Sequence, residues 1–159
     1  MTTLHPNALR VVDAGRLLGL DVQVHAFPEG TKTAAEAAAA IGVDVAQIVK
    51  SLIFAVDGEV VVAYVSGANQ LDERKLARAA GGSKASRVDA DVVRKATGYP
   101  IGGVPPFGHD EPLRVFIDPE LLRHDEVWAA AGTWNDVFPI RPDDLVRVSG
   151  GTVVELRRD

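Results

Sequence analysis

Two apolar runs, "QIVKSLIFAV" (47–56) and "EVVVAYVSG" (59–67), flank the dipeptide Asp57-Gly58. An Asp-Gly pair in this setting is the strongest short-range signal for a two-residue hairpin, because both central residues need a positive φ. Each run is apolar on both strand faces, so the hairpin is expected in the middle of a sheet, covered on each side. Around it, residues 6–19 read as an amphipathic helix with Pro6 near its first turn and Leu9, Val12, Leu17 and Leu18 as apolar positions. "VQVHAF" (22–27) alternates like a strand. "TAAEAAAAIG" places Thr33 three residues before Glu36, a capping box, and closes on Gly42. Asp72 caps an expected helix over 73–80 that stops at Gly81-Gly82, and a short strand near "SRVD" precedes a helix from Asp91 to Thr97 that stops at Gly98. "GYPIGGVPPFGH" (98–109) is too rich in Gly and Pro for regular structure. "LRVFID", "EVWAAAG" and "VFPI" predict three more strands, "RPDDLVRV" a short capped helix and "TVVELR" a last strand. The expected architecture is one α+β domain over residues 1–159, a mixed and mostly antiparallel sheet with helices packed on it.

Composition narrows the function classes. The chain has 159 residues, 47% hydrophobic and 25% charged, ordinary values for one globular domain. Seventeen Lys and Arg against 22 Asp and Glu leave −5, which argues against a polycationic nucleic-acid binder while leaving local patches open. Cysteine is absent, so disulfides, thiolate metal sites and a cysteine nucleophile are excluded. The start "MTTLHPNALR" lacks the apolar core of a signal peptide, and the runs "LIFAV" and "VVVAYV" are too short to cross a bilayer. A cytoplasmic protein with no membrane partner is the expectation. H-E-x-x-H, P-loop, G-x-S-x-G and G-x-G-x-x-G patterns are all missing, and His5, His25, His109 and His124 form no ligand spacing. Neither a metal nor any other cofactor is expected.

Five features remain as candidate chemistry. Lys50 shares a strand face with Ile48, Leu52, Phe54 and Val56, opposite Val49, Ser51, Ile53 and Ala55, so neither face is polar. Either its ammonium snorkels past the sheet end, or it stands at a pocket mouth to bind a phosphate or polarise a carbonyl. Gly102 and Gly103 allow close backbone approach and Pro105-Pro106 stiffen the next stretch of chain; the loop is either an N–H cradle for an anion or only a tight connection. His109 is either an acid–base group or a surface residue, and Trp134 either a pocket wall and stacking platform or a core side chain. Finally, Arg74, Lys75, Arg78, Lys84, Arg87, Arg94 and Lys95 outnumber Asp72, Glu73, Asp89 and Asp91. That excess fits either a nucleic-acid backbone contact or solvated helix faces.

Taken in order, "IVKSLIF", "VSGANQLD", "ATGYPIGGVPPFGH" and "AAGTWNDVFPIRPDDL" resemble the YbaK/prolyl-tRNA-synthetase-associated editing family, from about residue 30 to residue 148. The resemblance implies a freestanding aminoacyl-tRNA deacylase that removes a wrong, small amino acid from the tRNA 3′ end. It carries the family's strand lysine to Lys50, its glycine–proline loop to Gly102, Gly103, Val104, Pro105 and Pro106, and its last pocket glycine to Gly132. Ser51, His109, Thr133 and Trp134 are expected to line the substrate site. Some family members carry a histidine just after that last glycine; Trp134 and Asn135 stand there here.

The implied chemistry suits these residues. A synthetase pocket discriminates one methylene by only about 1–3 kcal/mol, so hydrolytic editing is needed. An aminoacyl ester is already activated, and its hydrolysis needs positioning and oxyanion stabilisation more than a protein nucleophile. Lys50 would fix the terminal adenosine phosphate or the aminoacyl carbonyl, Gly102–Val104 N–H groups the water or oxyanion, and the neighbouring ribose hydroxyl would assist. Expected partners are mischarged tRNA and an aminoacyl-tRNA synthetase. The alternative is a non-catalytic module binding tRNA 3′ ends or a synthetase. A duplex-DNA regulator is disfavoured by the acidic balance and the lack of a helix-turn-helix pattern.

Overall fold

The computed structural model describes residues 4–27 and 33–159. The first three residues of the N-terminal stretch, and the start of the family-like segment near residue 30, lie outside the described residues.

Helix α1 (Pro6–Leu17) opens on proline, where a missing N–H leaves no helical bond unmade, and His5 Nδ1 accepts from the Asn7 N–H at 3.0 Å. Its buried face is Ala8, Val11 and Gly15. Leu9, Leu17 and Leu18, expected on the apolar face, are exposed, Leu17 at 89%. The reason is close approach: a Cβ on Gly15 would lie 2.5 Å from Val22 Cγ2, so small residues dock and the leucines turn outward. Val12 alone of the four expected positions packs against the core.

Strand β1 shortens to His25–Ala26, although Val22 and Val24 still turn inward as the alternation requires. Helix α2 (Ala34–Ile41) is capped as expected, Thr33 Oγ1 accepting from the Glu36 N–H at 3.0 Å and Gly42 closing it at φ 89°. A 3-10 turn (Val45–Gln47) leads into β2 (Val49–Val56) and β3 (Glu59–Ser66), joined at Asp57 (φ 48°) and Gly58 (φ 90°). Then come α3 (Glu73–Ala79), β4 (Ala85–Arg87), α4 (Ala90–Thr97), β5 (Arg114–Ile117), a 3-10 turn (Pro119–Arg123), β6 (Val127–Ala130), β7 (Asp136–Ile140), α5 (Pro142–Ser149) and β8 (Thr152–Val153).

The strands form two sheets rather than one. The larger has the order β4-β2-β3-β5-β8, with β2 antiparallel to β3 and β4 and the β3-β5-β8 pairs parallel; the smaller, β1-β7-β6, is antiparallel. Among the described residues a bridge between Ile48 and Trp128 connects them. The hairpin is central in the larger sheet and covered on both sides, as its two-faced apolarity demands. Val49 and Ile53 enter the main core with Tyr64, Phe138 and Leu145, while Phe54 and Val56 enter a second cluster with Leu76 and Phe116.

The expected last strand over "TVVELR" is only partly formed, because a carboxylate takes over from the ladder. Buried Asp118 accepts from the N–H groups of Leu156 (2.7 Å) and Arg157 (2.9 Å) through Oδ2 and from Glu120 (2.9 Å) through Oδ1. Asp72 N–H then donates to Leu156 O (2.7 Å), and Lys75 Nζ donates to Glu155 (2.8 Å), Arg157 O (2.7 Å) and Asp159 (3.0 Å). Asp118→Ala would strand three N–H donors, one of them fully buried. It should lower the unfolding free energy by about 2–4 kcal/mol, read from urea or guanidinium titration; a loss under about 0.5 kcal/mol would show that water replaces the carboxylate.

Candidate active site

Along its outer edge β2 is paired at both ends and open between them. Ile48 bridges to Trp128 and Phe54–Val56 pair with β4, but no strand among the described residues covers the edge between. Two cavities fill this gap and share Lys50, Ser51, Leu52, Ile101 and Gly102. One, about 430 Å³, adds the charged side chains Glu73, Arg87 and Arg158 together with Gln70. The other, about 330 Å³, is built from small and apolar groups such as Ala34, Ala37, Ile48, Trp128 and Val137. Lys50 and Gly102 therefore stand on the seam between a charged lobe and an uncharged lobe.

Lys50 is half-buried, and its Nζ donates to the carbonyl of Asn69, in the turn that leaves β3. Burial pushes its pKa below the usual lysine value, with no carboxylate within ion-pairing distance among the described residues to raise it again. An ammonium has three donors, so two remain beyond Asn69 for a ligand.

Opposite Lys50 the chain makes a tight turn. The Gly103 N–H donates to Pro100 O at 2.9 Å and Gly102 sits at φ 84°, the geometry of a type II turn that asks for glycine at its third position. The turn is tied down on several sides. Ser51 Oγ donates to Val104 O (3.0 Å), and Pro105 O receives both His109 Nε2 (2.7 Å) and the Tyr64 hydroxyl (3.4 Å). Since a carbonyl can only accept, His109 carries its proton on Nε2, and burial lowers its pKa below the usual value. His109 borders neither lobe; it braces the loop that does. Pro105 and Pro106 are buried behind Gly102 and likewise border neither lobe.

The β6–β7 connection closes the site from the other side. Gly132 N–H donates to Gly103 O (2.9 Å), Gly132 O accepts from Asn7 Nδ2 (3.0 Å), and Gly132 is at φ 96°. A Cβ on Gly103 would meet the Gly132–Thr133 backbone at 3.0 Å, and one on Gly132 would meet Asn7 O at 2.8 Å. Thr133 Oγ1 donates to Asp136 Oδ2 (2.6 Å) and accepts from the Asn135 and Asp136 N–H groups (3.1 Å each). Trp134 is 44% exposed, donates from Nε1 to Ile101 O, and lies over Gly102, whose Cβ would be 2.9 Å from the indole. It walls the uncharged lobe on one side and an open groove of about 710 Å³ on the other.

The structure thus brings Lys50, Ser51, Gly102, Val104, Thr133 and Trp134 around one hollow, whereas Gly103 and Gly132, bonded to each other, border neither lobe. Of the seven basic residues between 72 and 95, Arg87 borders the charged lobe, Arg94 borders the open groove, and Lys75 is bound to the C-terminal tail. Sequence reasoning did not single out Asn69, Gln70, Glu73 or Arg158. The first three lie in or just after the "VSGANQLD" run, whereas nothing in the last residues signals a site. Among the described residues no three His, Asp or Glu side chains converge to hold a metal, and no helix is long and apolar enough to cross a membrane. The arrangement can hold a polar carbonyl or phosphate between a fixed ammonium and backbone N–H groups. It offers no activated serine, because the Ser51 proton is engaged on Val104 O.

The chain has counterparts among known proteins. A crystal structure of a proposed trans-editing enzyme for prolyl tRNA synthetase superposes with a TM-score of 0.93 at 41% identity, covering 99% of this chain and 100% of the other. Uncharacterized protein YwhH of Bacillus subtilis is 33% identical over 123 residues, 77% of this chain and 78% of that protein. EbsC of Enterococcus faecalis, described as a proposed Cys-tRNA(Pro)/Cys-tRNA(Cys) deacylase, is 25% identical over 152 residues, 94% of this chain and 92% of its own. The proline–tRNA ligase of Maridesulfovibrio salexigens is 36% identical over 107 residues, 67% of this chain but only 18% of the ligase. Residues 28–148 match the family described as the aminoacyl-tRNA editing domain, and the chain belongs to that family.

Proposed function

We propose that this protein is a freestanding trans-editing deacylase, hydrolysing the ester between a small, wrongly attached amino acid and the 3′ end of a tRNA. The observation that carries this reading is the Lys50 ammonium fixed on the Asn69 carbonyl at the seam of two lobes, facing the Gly102 turn. The ester lies at that seam. Water adds to its carbonyl carbon, the C–O bond to the ribose breaks, and the proton from water ends on the ribose oxygen, giving free amino acid and a 3′ hydroxyl. Charge develops on the carbonyl oxygen, where a desolvated ammonium and backbone N–H groups act most strongly. The Gly103 N–H is committed to Pro100 O, so the donors left in this turn are those of Gly102 and Val104, which donate to no backbone carbonyl among the described residues. The association of the Enterococcus faecalis relative with cysteine, and the small uncharged lobe, support a small amino acid.

Incubation with a panel of mischarged tRNAs, with ester loss measured over time, tests this directly. At least one tRNA carrying alanine, serine, threonine or cysteine should lose its ester well above the rate in buffer. Tight binding with no loss from any of them would establish the non-catalytic binding module instead.

Lys50→Met separates charge from packing. Because the folded pKa lies below 10.5, the unfolded chain binds more protons between the two values, so stability rises with pH across that window and the charged form is a net cost at pH 7. The variant should therefore unfold at the same or higher denaturant concentration while its deacylation rate falls by about 10²-fold. Wild-type enzyme-dependent turnover should decline on the alkaline side with a midpoint below 10.5. A variant that keeps near wild-type turnover would remove Lys50 from the reaction.

Gly103→Ala forces a methyl group against the Gly132–Thr133 backbone and pushes the two loops apart. A shift of a few tenths of an ångström to about 1 Å should lower kcat/KM by about 10- to 100-fold with the fold retained by near-UV circular dichroism. Unchanged kinetics would mean that loop spacing does not set the site.

A further inference from the structure

The charged lobe contains a cation from outside the segment that matches the editing family. Arg158 is the penultimate residue, ten positions beyond residue 148 where that match ends, yet it borders the lobe with Lys50 and Arg87. Its placement is enforced. The tail is clamped by Asp118 on the Leu156 and Arg157 N–H groups and by Lys75 on Arg157 O, and Leu71 and Arg157 form a bridge. Arg158 then grips Gln70 twice, its N–H donating to Gln70 O (2.8 Å) and its Nη1 to Gln70 Oε1 (2.9 Å). The neighbouring residue, Asn69, is the one whose carbonyl holds Lys50. Two cations from distant parts of the chain thus grip adjacent residues of one turn.

Three cations, Lys50, Arg87 and Arg158, face one carboxylate, Glu73, in this lobe, while the whole chain carries −5. Such a local inversion of sign is what a polyanion needs. Guanidinium has five N–H donors in a planar fork, and the bond to Gln70 Oε1 uses one. We propose that Arg158 is a substrate-binding residue that takes a backbone phosphate of the single-stranded tRNA 3′ end. The C-terminal tail is accordingly part of the site. This rests on the deacylase reading for the reaction, but not for the binding.

The experiment compares Arg158→Gln and Arg158→Lys with wild type in two measurements. One is fluorescence anisotropy with uncharged tRNA across a salt series. The other is steady-state deacylation of a mischarged tRNA. In the first, Arg158→Gln should weaken binding about 3- to 10-fold and flatten the slope of log K against log salt by about 0.7, one single-strand phosphate contact, with Arg158→Lys close to wild type. In the second, KM should rise by a similar factor with kcat unchanged. An unaltered salt slope in Arg158→Gln overturns the proposal, whether or not kcat falls; a fall in kcat with no change in slope would assign the tail a purely structural hold on the Asn69–Gln70 turn. If wild type deacylates no tRNA, the deacylase reading fails, and the salt series alone still decides the role of Arg158.

Discussion

Everything at this site depends on an amine kept half out of water by an uncharged partner. Between Ile48 and Phe54 the edge of β2 has no neighbouring strand among the described residues, and an unpaired edge normally invites another chain. Here the Ile101–Val104 turn stands over the gap without forming a ladder, attached through Ser51 Oγ and Val104 O. Had β4 continued past Phe54, it would have filled the space that both lobes occupy. The short length of β4 is therefore as much a part of the site as Lys50.

Holding a turn at that distance requires backbones to meet where side chains normally intervene. Gly102 lies beneath the Trp134 indole, Gly103 lies against Gly132, and Gly132 lies against Asn7 in the first turn of α1. Through the bonds from Asn7 to Gly132, Gly132 to Gly103, and Ser51 to Val104, the N-terminal helix is connected to the strand that carries Lys50. Gly15 extends the same device, letting α1 settle close onto Val22. The exposed leucines of α1 have the same origin: a helix seated by small residues has its larger ones turned away.

These same features explain what could be read from the chain. The hairpin, the capped helices and the glycine–proline loop were legible because each is written in adjacent residues: Asp57-Gly58 carries its own turn geometry, and Thr33 and Asp72 carry their own caps. The division into two sheets was not, since it hangs on one long-range bridge between Ile48 and Trp128. The leucine face of α1 was misread because apolar spacing reports which residues could be buried, while the neighbour's shape decides which are. "TVVELR" looked like a strand, and Asp118, almost forty residues away, redirected its N–H groups. For the site, Lys50 and the glycines stood out as local oddities. Arg158 did not, because its position is set by contacts to Gln70 that no local pattern encodes.

The choice of Asn69 O as the partner of Lys50 has an electrostatic consequence. A carboxylate would have stabilised the half-buried ammonium and raised its pKa, but it would also have cancelled the field at the seam of the lobes. A carbonyl fixes the position of the amine and leaves its charge uncompensated. The cost appears as a lowered pKa, and the benefit is a cation that acts fully on whatever carbonyl or phosphate enters. For an ester already activated by attachment to a ribose, a fixed and unneutralised positive charge beside backbone donors would supply what the proposed reaction needs. With water as the attacking group, a nucleophile supplied by the protein then becomes unnecessary to the proposed chemistry. The low stability of the charge in its resting place and its usefulness to a developing oxyanion are the same property seen before and after substrate arrives.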